Sequence, residues 1–145
     1  MPSKYEVKPV FVDVTSATRL RMQAVRRHDT APEMAVRRLL HAMGYRFRLH
    51  RKDLPGSPDI VLPGHRKIIL VHGCFWHGHE RCKRAKSPTK NMETWRIKIE
   101  ANQMRDAKNV VALRELGWGV LIVWECEVRD QEQLANRLRD FLLVR

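Results

Sequence analysis

Apolar positions first fall into a helical rhythm at Met34, Leu39, Leu40 and Met43. They lie between Gly44 and Thr30-Ala31-Pro32-Glu33, which has capping-box spacing with a proline tolerated in the first turn. This predicts a helix with both ends marked. Tyr45, Phe47 and Leu49 then alternate with Arg46, Arg48 and His50, the period of a strand with one buried face and one wet, basic face. Leu54-Pro55-Gly56-Ser57-Pro58 reads as a turn. Residues 59–62 and the continuously apolar Ile68-Ile69-Leu70-Val71, separated by Pro63-Gly64-His65-Arg66, read as a hairpin with a buried second strand. A long helix over 89–115, stopped by Gly117, leads to a central strand over 118–124 and a final amphipathic helix over 131–143. The order is αβββαβα. Strand, long helix and strand can close a parallel crossover, so the predicted fold is a single α/β domain with a mixed sheet flanked by helices.

Ahead of this core, residues 1–14 show no helical period, although Val10-Phe11-Val12 has the character of a short strand or docking segment. They are expected to form a mobile arm, with the domain proper over 15–145. A basic helix over 16–27, with Leu20 and Ala24 one turn apart, would offer its arginines to phosphates. Lys and Arg number 28 against 16 Asp and Glu, a formal charge of +12 spread from Arg19 to Arg145, which favours a polyanionic partner over merely solvated helix faces. No segment pairs a basic face with a bulky apolar one, as a membrane-surface helix would. The first ten residues lack the apolar core of a leader, and no run approaches the roughly 20 apolar residues of a spanning helix, so a cytoplasmic location is expected. Three cysteines cannot all pair within one chain, and in a reducing compartment metal binding or catalysis suits them better.

Two of those cysteines lie in His72-Gly73-Cys74-Phe75-Trp76-His77-Gly78-His79-Glu80-Arg81-Cys82. Cys74, His79 and Cys82 are borderline-soft ligands close together in sequence, and Cys126, just past the last strand, can complete a tetrahedral Cys3His set for structural zinc. His77 competes with His79 for the histidine position. Any one cysteine alone would be an ordinary small buried residue. A second constellation is Pro58-Asp59, followed twelve residues on by Val71-His72-Gly73 at the end of the next strand. A carboxylate there can hold Mg2+ against a phosphodiester, since hard cations prefer carboxylate, carbonyl and water oxygens and the ion activates water. A Pro-Asp before a strand is more often a turn, so this reading needs its neighbours. Restriction-type nucleases place Glu-x-Lys where this chain has Val71 and Gly73.

The neighbours carry a resemblance. Thr30-Ala31-Pro32-Glu33, Leu54-Pro55-Gly56-Ser57-Pro58-Asp59, His72-Gly73-Cys74-Phe75-Trp76-His77, the helix around Trp95 and Asn102, and Val123-Trp124-Glu125-Cys126 occur in the order of the very short patch repair (Vsr) endonucleases, which the chain resembles over about residues 16–128. The resemblance implies a restriction-endonuclease-like fold, structural zinc, catalytic Mg2+ and nicking of DNA 5′ to the mismatched T of a T:G pair left by deamination of 5-methylcytosine. It implies that Asp59 and the main-chain carbonyl of Val71 bind Mg2+. His77 would be the general base or a water-positioning residue, with His72 and Glu33 as supporting catalytic residues in the metal's outer shell or near the phosphate. Phe75, Trp76 and Trp95 would wedge into the duplex, and Asn102 would contact DNA. From position alone, Glu33 is a helix-capping carboxylate, His72 a strand-end histidine, the aromatics core packing, and Asn102 with Asp106 a solvated helix face. Between His79 and Cys82 the chain has one residue more than some members of that family. A monomer acting on T:G duplex is expected, with mismatch-repair proteins as candidate partners. The rival readings are a nicking or homing-type endonuclease without mismatch selectivity, and a non-catalytic zinc-containing DNA-binding module.

Overall fold

In the computed structural model, which describes residues 29–86 and 88–144, the elements follow the expected order. They are α1 (Ala31–Ala42), β1 (Arg48–Leu49), β2 (Ile60–Leu62), β3 (Lys67–His72), α2 (Met92–Glu115), β4 (Gly119–Trp124) and α3 (Gln131–Leu143). The arm over 1–14, with Val10-Phe11-Val12, and the basic helix over 16–27 lie outside the described residues. At the start of α1 the Thr30 hydroxyl accepts the Glu33 N–H at 3.4 Å, and just beyond its end Gly44 takes φ +87°, a conformation glycine adopts without strain. Val36 and Leu40, one turn apart, form its buried stripe.

The strands make one sheet in the order β1-β2-β3-β4, antiparallel up to β3 and parallel between β3 and β4, with α2 as the crossover. Ile60, Leu62 and Ile69 pack with Val36 and Leu40 of α1 and with Leu134 and Leu138 of α3. Val61, Ile68 and Leu70 pack with Leu113 of α2 and with Trp118 just beyond it. Alternate residues of β2 and β3 thus enter two cores. A strand covered on both faces has no polar alternation, which is why these segments read as continuous apolar runs. Burying each such aliphatic side chain contributes about 1.5–3 kcal/mol.

Two expectations are corrected. The strand predicted around Tyr45, Phe47 and Leu49 pairs only at Arg48 and Leu49. Tyr45 and Phe47 pack on the first core outside the ladder, and Leu49 is 39% exposed, because β1 lies at the edge of the sheet among the described residues and His50 leaves it with φ +45°. The strand over 118–124, expected to be central, is the opposite edge of the sheet among the described residues; its apolarity comes from the elements covering its faces. Over its 24 residues, α2 buries only Trp95, Ile99 and Leu113. Its middle turns carry polar groups instead, and these grip loops. No described helix is long and apolar enough to cross a membrane.

Candidate active site and metal centre

The loop between β3 and α2 opens with tight turns: the His77 N–H bonds to the Gly73 carbonyl at 3.1 Å, and the His79 N–H to the Cys74 carbonyl at 2.8 Å. These turns send His77 and His79 to different partners. The ligand atoms of Cys74, His79, Cys82 and Cys126 all lie within 4.8 Å of one another, whereas His77 groups with His72 and Asp106. Between the Cys126 Sγ and the His79 Nδ1 the separation is 3.6 Å. A tetrahedral ion with sulfur at about 2.3 Å and nitrogen at about 2.0–2.1 Å would set its ligands roughly that far apart. The donor set therefore fits zinc in chemistry and in spacing. Burial pushes the Cys74 thiol up to about 12, so its thiolate needs a cation beside it. Hydrogen bonding from the Arg84 N–H holds Cys82 below the usual thiol range. The His79 ring stacks on Trp124 at 4.1 Å, fixing its plane.

On the other side of the loop the His77 Nδ1 lies 2.6 Å from the Asp106 Oδ2. A carboxylate only accepts, so Nδ1 donates in this pair and Nε2 is the nitrogen left for proton transfer. His72, 6% exposed, stacks on His77 with ring centroids 4.0 Å apart and planes 7° from parallel. Burial lowers its pKa to about 4, the neighbouring His77 adds to the fall, and Asp106 opposes it. His72 is thus a neutral imidazole near pH 7. Its Nδ1 is 4.0 Å from the Asp106 Oδ2, beyond hydrogen-bond range.

Asp59 precedes β2, and its Oδ2 accepts the Val71 N–H at 2.9 Å, which brings the carboxylate to the end of β3 beside His72. It joins neither ligand cluster, so a cation there would rest on one carboxylate, main-chain carbonyls, water and substrate oxygens. That donor set suits Mg2+, which keeps much of its hydration. Glu33, a supporting catalytic residue by the resemblance, is 2% exposed and groups with His50 and Asp29.

Phe75, Trp76 and Trp95 form one edge-to-face cluster, with centroid separations of 5.3 Å, 5.0 Å and 5.5 Å. Trp95 is buried, Phe75 and Trp76 are half-buried, and the Lys98 ammonium lies 5.4 Å over the Trp76 ring. Asn102 donates from Nδ2 to the Trp76 carbonyl at 2.8 Å, and Gln103 from Nε2 to the Gly78 carbonyl at 3.1 Å. Gly78 has φ +61°, and a Cβ there would stand 2.4 Å from the Gln103 Nε2 and 2.6 Å from the Ile99 Cγ2. Three polar side chains of α2, Asn102, Gln103 and Asp106, thereby hold the loop. Asp106 as partner of His77 and His50 as partner of Glu33 were not predicted. The visible signals were the Asn102–Asp106 helical spacing and a histidine on an otherwise Arg-lined strand face.

The mixed four-stranded sheet with flanking helices has a restriction-endonuclease-like topology. It is similar to the solved catalytic domain of homing endonuclease I-Bth0305I, with a TM-score of 0.51 over 78% of this chain and 94% of that one; at 21% identity the likeness concerns the fold alone. Residues 12–84 match the family model for DNA mismatch endonuclease Vsr. The chain is 54% identical over 121 residues to the type II nicking enzyme V.XorIIP of Xanthomonas oryzae pv. oryzae, covering 83% of this chain and 88% of that relative. With the DNA mismatch endonuclease Vsr of Escherichia coli it shares 45% identity over 115 residues, 79% of this chain and 73% of the relative. The class defined by fold and site is therefore a nuclease of the restriction-endonuclease-like kind. Within that class, the chain belongs to the Vsr family of nicking endonucleases.

Proposed function

We propose that this protein is a Mg2+-dependent, zinc-stabilised endonuclease that recognises T:G mismatches and nicks the strand 5′ to the mismatched T. The observation that carries the reading is the division of labour in one loop. It holds His77 against Asp106 at 2.6 Å and also carries Phe75 and Trp76 against Trp95. The names of the two relatives supply its halves, mismatch endonuclease and nicking enzyme.

Asp59 and the main-chain carbonyl of Val71 would hold Mg2+, which when bound activates water and neutralises charge developing on phosphate oxygens. The His77 Nε2 takes the proton from the attacking water, and Asp106 stabilises the resulting imidazolium and keeps the ring oriented. His72, neutral and stacked, fixes the plane of His77 and is available as a neutral donor near the phosphate. Cys74, His79, Cys82 and Cys126 would hold zinc as a closed set that does no chemistry but ties the loop to the end of β4. Phe75 and Trp76, backed by Trp95, enter the duplex. Unstacking costs a few kcal/mol and costs less at a mispaired step, so deformability contributes to selection. Asn102 contacts DNA from the root of this wedge, where it already bonds the Trp76 carbonyl. The domain over 15–145, with the arm over 1–14 ahead of it, acts as a cytoplasmic monomer; mismatch-repair proteins are candidate partners.

The test is a nicking assay with Mg2+ on end-labelled T:G and T:A duplexes of one sequence, mapping the cut strand and its ends. Cleavage confined to T:G, 5′ to the T, is expected. Equal rates on the two duplexes would sink the mismatch reading and leave a nicking enzyme without that selectivity.

A further inference from the structure

We infer that Glu33 and His50 form a positioning pair that fixes the main chain of Asp59 for its ion, an inference that rests on the metal-dependent reading above. A carboxylate as buried as Glu33 persists only when fully paired. Its Oε2 accepts the Asp29 N–H at 2.5 Å and lies 3.3 Å from the Arg37 Nη2, while its Oε1 is 2.7 Å from the His50 Nε2. Because Glu33 only accepts, that imidazole nitrogen carries the proton. The Arg37 Nη2, 3.5 Å from the same nitrogen, is then a donor facing a donor, so Glu33 is the group that binds the ring.

The main chain of His50 has a second attachment. Its N–H donates to the Asp59 carbonyl at 3.1 Å, one step beyond the Leu49↔Ile60 pair. His50 holds φ +45°, a region few non-glycine residues occupy unless their surroundings impose it. A two-residue edge strand is a weak clamp for that last rung, and the Glu33–His50 bond fastens it to α1. Asp59 is thereby held at its carbonyl by His50 and at its carboxylate by the Val71 N–H. Glu33 thus acts on the ion through His50 and the backbone rather than by direct contact. His50 becomes a residue of the reaction although it touches neither ion nor DNA in this scheme. Groups that orient a metal ligand in this way typically change ion affinity or activity by about 10–100-fold when removed.

The experiment uses the full-length, zinc-loaded protein bound to T:G duplex. Mn2+ binding is measured by electron paramagnetic resonance of the free ion, alongside the Mg2+ dependence of nicking. His50→Ala is expected to raise the Mn2+ dissociation constant and the half-saturating Mg2+ concentration by about 10–100-fold. Zinc content and mismatch-duplex affinity should stay unchanged. His50→Gln, whose amide can still donate to Glu33, should recover most of the loss. Unchanged ion affinity in His50→Ala overturns the inference, as does equal loss in both variants accompanied by a lower melting temperature. Where His50→Ala does not fold, the near-isosteric Glu33→Gln decides, with the same shift expected and an unchanged ion affinity overturning the pair. Asp59→Ala separates the two levels: if it leaves Mn2+ binding and nicking intact, the metal-dependent reading falls and the pair with it. If Asp59→Ala abolishes both while the His50 and Glu33 variants are silent, only the pair falls.

Discussion

The cysteine cluster and the histidine cluster sit on the same short loop, yet they are assembled in different ways. Cys74, His79 and Cys82 come from one stretch of chain, and Cys126 closes the set from the end of β4. His77 owes its orientation to Asp106, on another element, and to the stacked His72. On the proposed reading the first would be a closed set of ligands whose value is stability. The second leaves one imidazole nitrogen open, and openness is what a reacting group requires. The contrast teaches that holding a loop and using it can be separated residue by residue even when the residues alternate in sequence.

The comparison breaks most sharply at Asp59. Asp59→Ala should abolish nicking, a loss of about 10^3-fold or more, while zinc content and the melting temperature stay at wild-type values. Retained nicking in a strand-cleavage assay would favour a non-catalytic DNA-binding module instead. His77→Ala comes next, with an expected fall of about 10^2–10^4-fold in single-turnover rate and zinc still at one ion per chain by metal analysis. A variant that lost zinc as well would erase the boundary between the clusters. Cys126→Ser probes the other side: zinc is lost and stability falls by about 3 kcal/mol, a drop of roughly 10 °C in a thermal melt. Activity should fall with it, because the base rides on the same loop. The smallest effect belongs to Trp76→Ala, which should reduce the T:G over T:A rate ratio by about tenfold, within the 1–3 kcal/mol of one base–aromatic stack. Its rate on T:A duplex should barely change.

The helices, the buried strands and their order were legible because each carries its own periodicity or its own end signals. The cluster of Cys74, His79, Cys82 and Cys126 was legible for a chemical reason: cysteine and histidine at close spacing are a metal-ligand pattern. What escaped were pairings across distance. His77 and Asp106 are 29 residues apart, and Glu33 and His50 are 17 apart. Nothing local distinguishes Asp106 from the solvated carboxylates common on helices, or His50 from Arg46 and Arg48, with which it alternates. Only the packing of α2 over the loop and of α1 over the sheet edge selects them. The shortened β1 escaped for the same reason, since alternation reports which side is buried and not whether a neighbour offers hydrogen bonds. The bond from Asn102 to the Trp76 carbonyl is another such pairing, invisible from a polar position on a helix face.

Gly78, pinned between Gln103 and Ile99, divides the loop into a stretch tied to α2 and a stretch that spans the candidate ligands His79 and Cys82. Before it, Phe75, Trp76 and His77 are tied to α2 through Trp95, Asn102 and Asp106, so an inserted residue would dislocate all three together. After it, Glu80 and Arg81 are exposed, and Arg81 turns outward with φ +56°. A change of length at 80–81 would leave the contacts to α2 in place and act instead on His79 and Cys82, the two candidate ligands that flank it. A fluorophore attached at these two exposed positions would therefore report on the cysteine cluster and not on the His77–Asp106 pair.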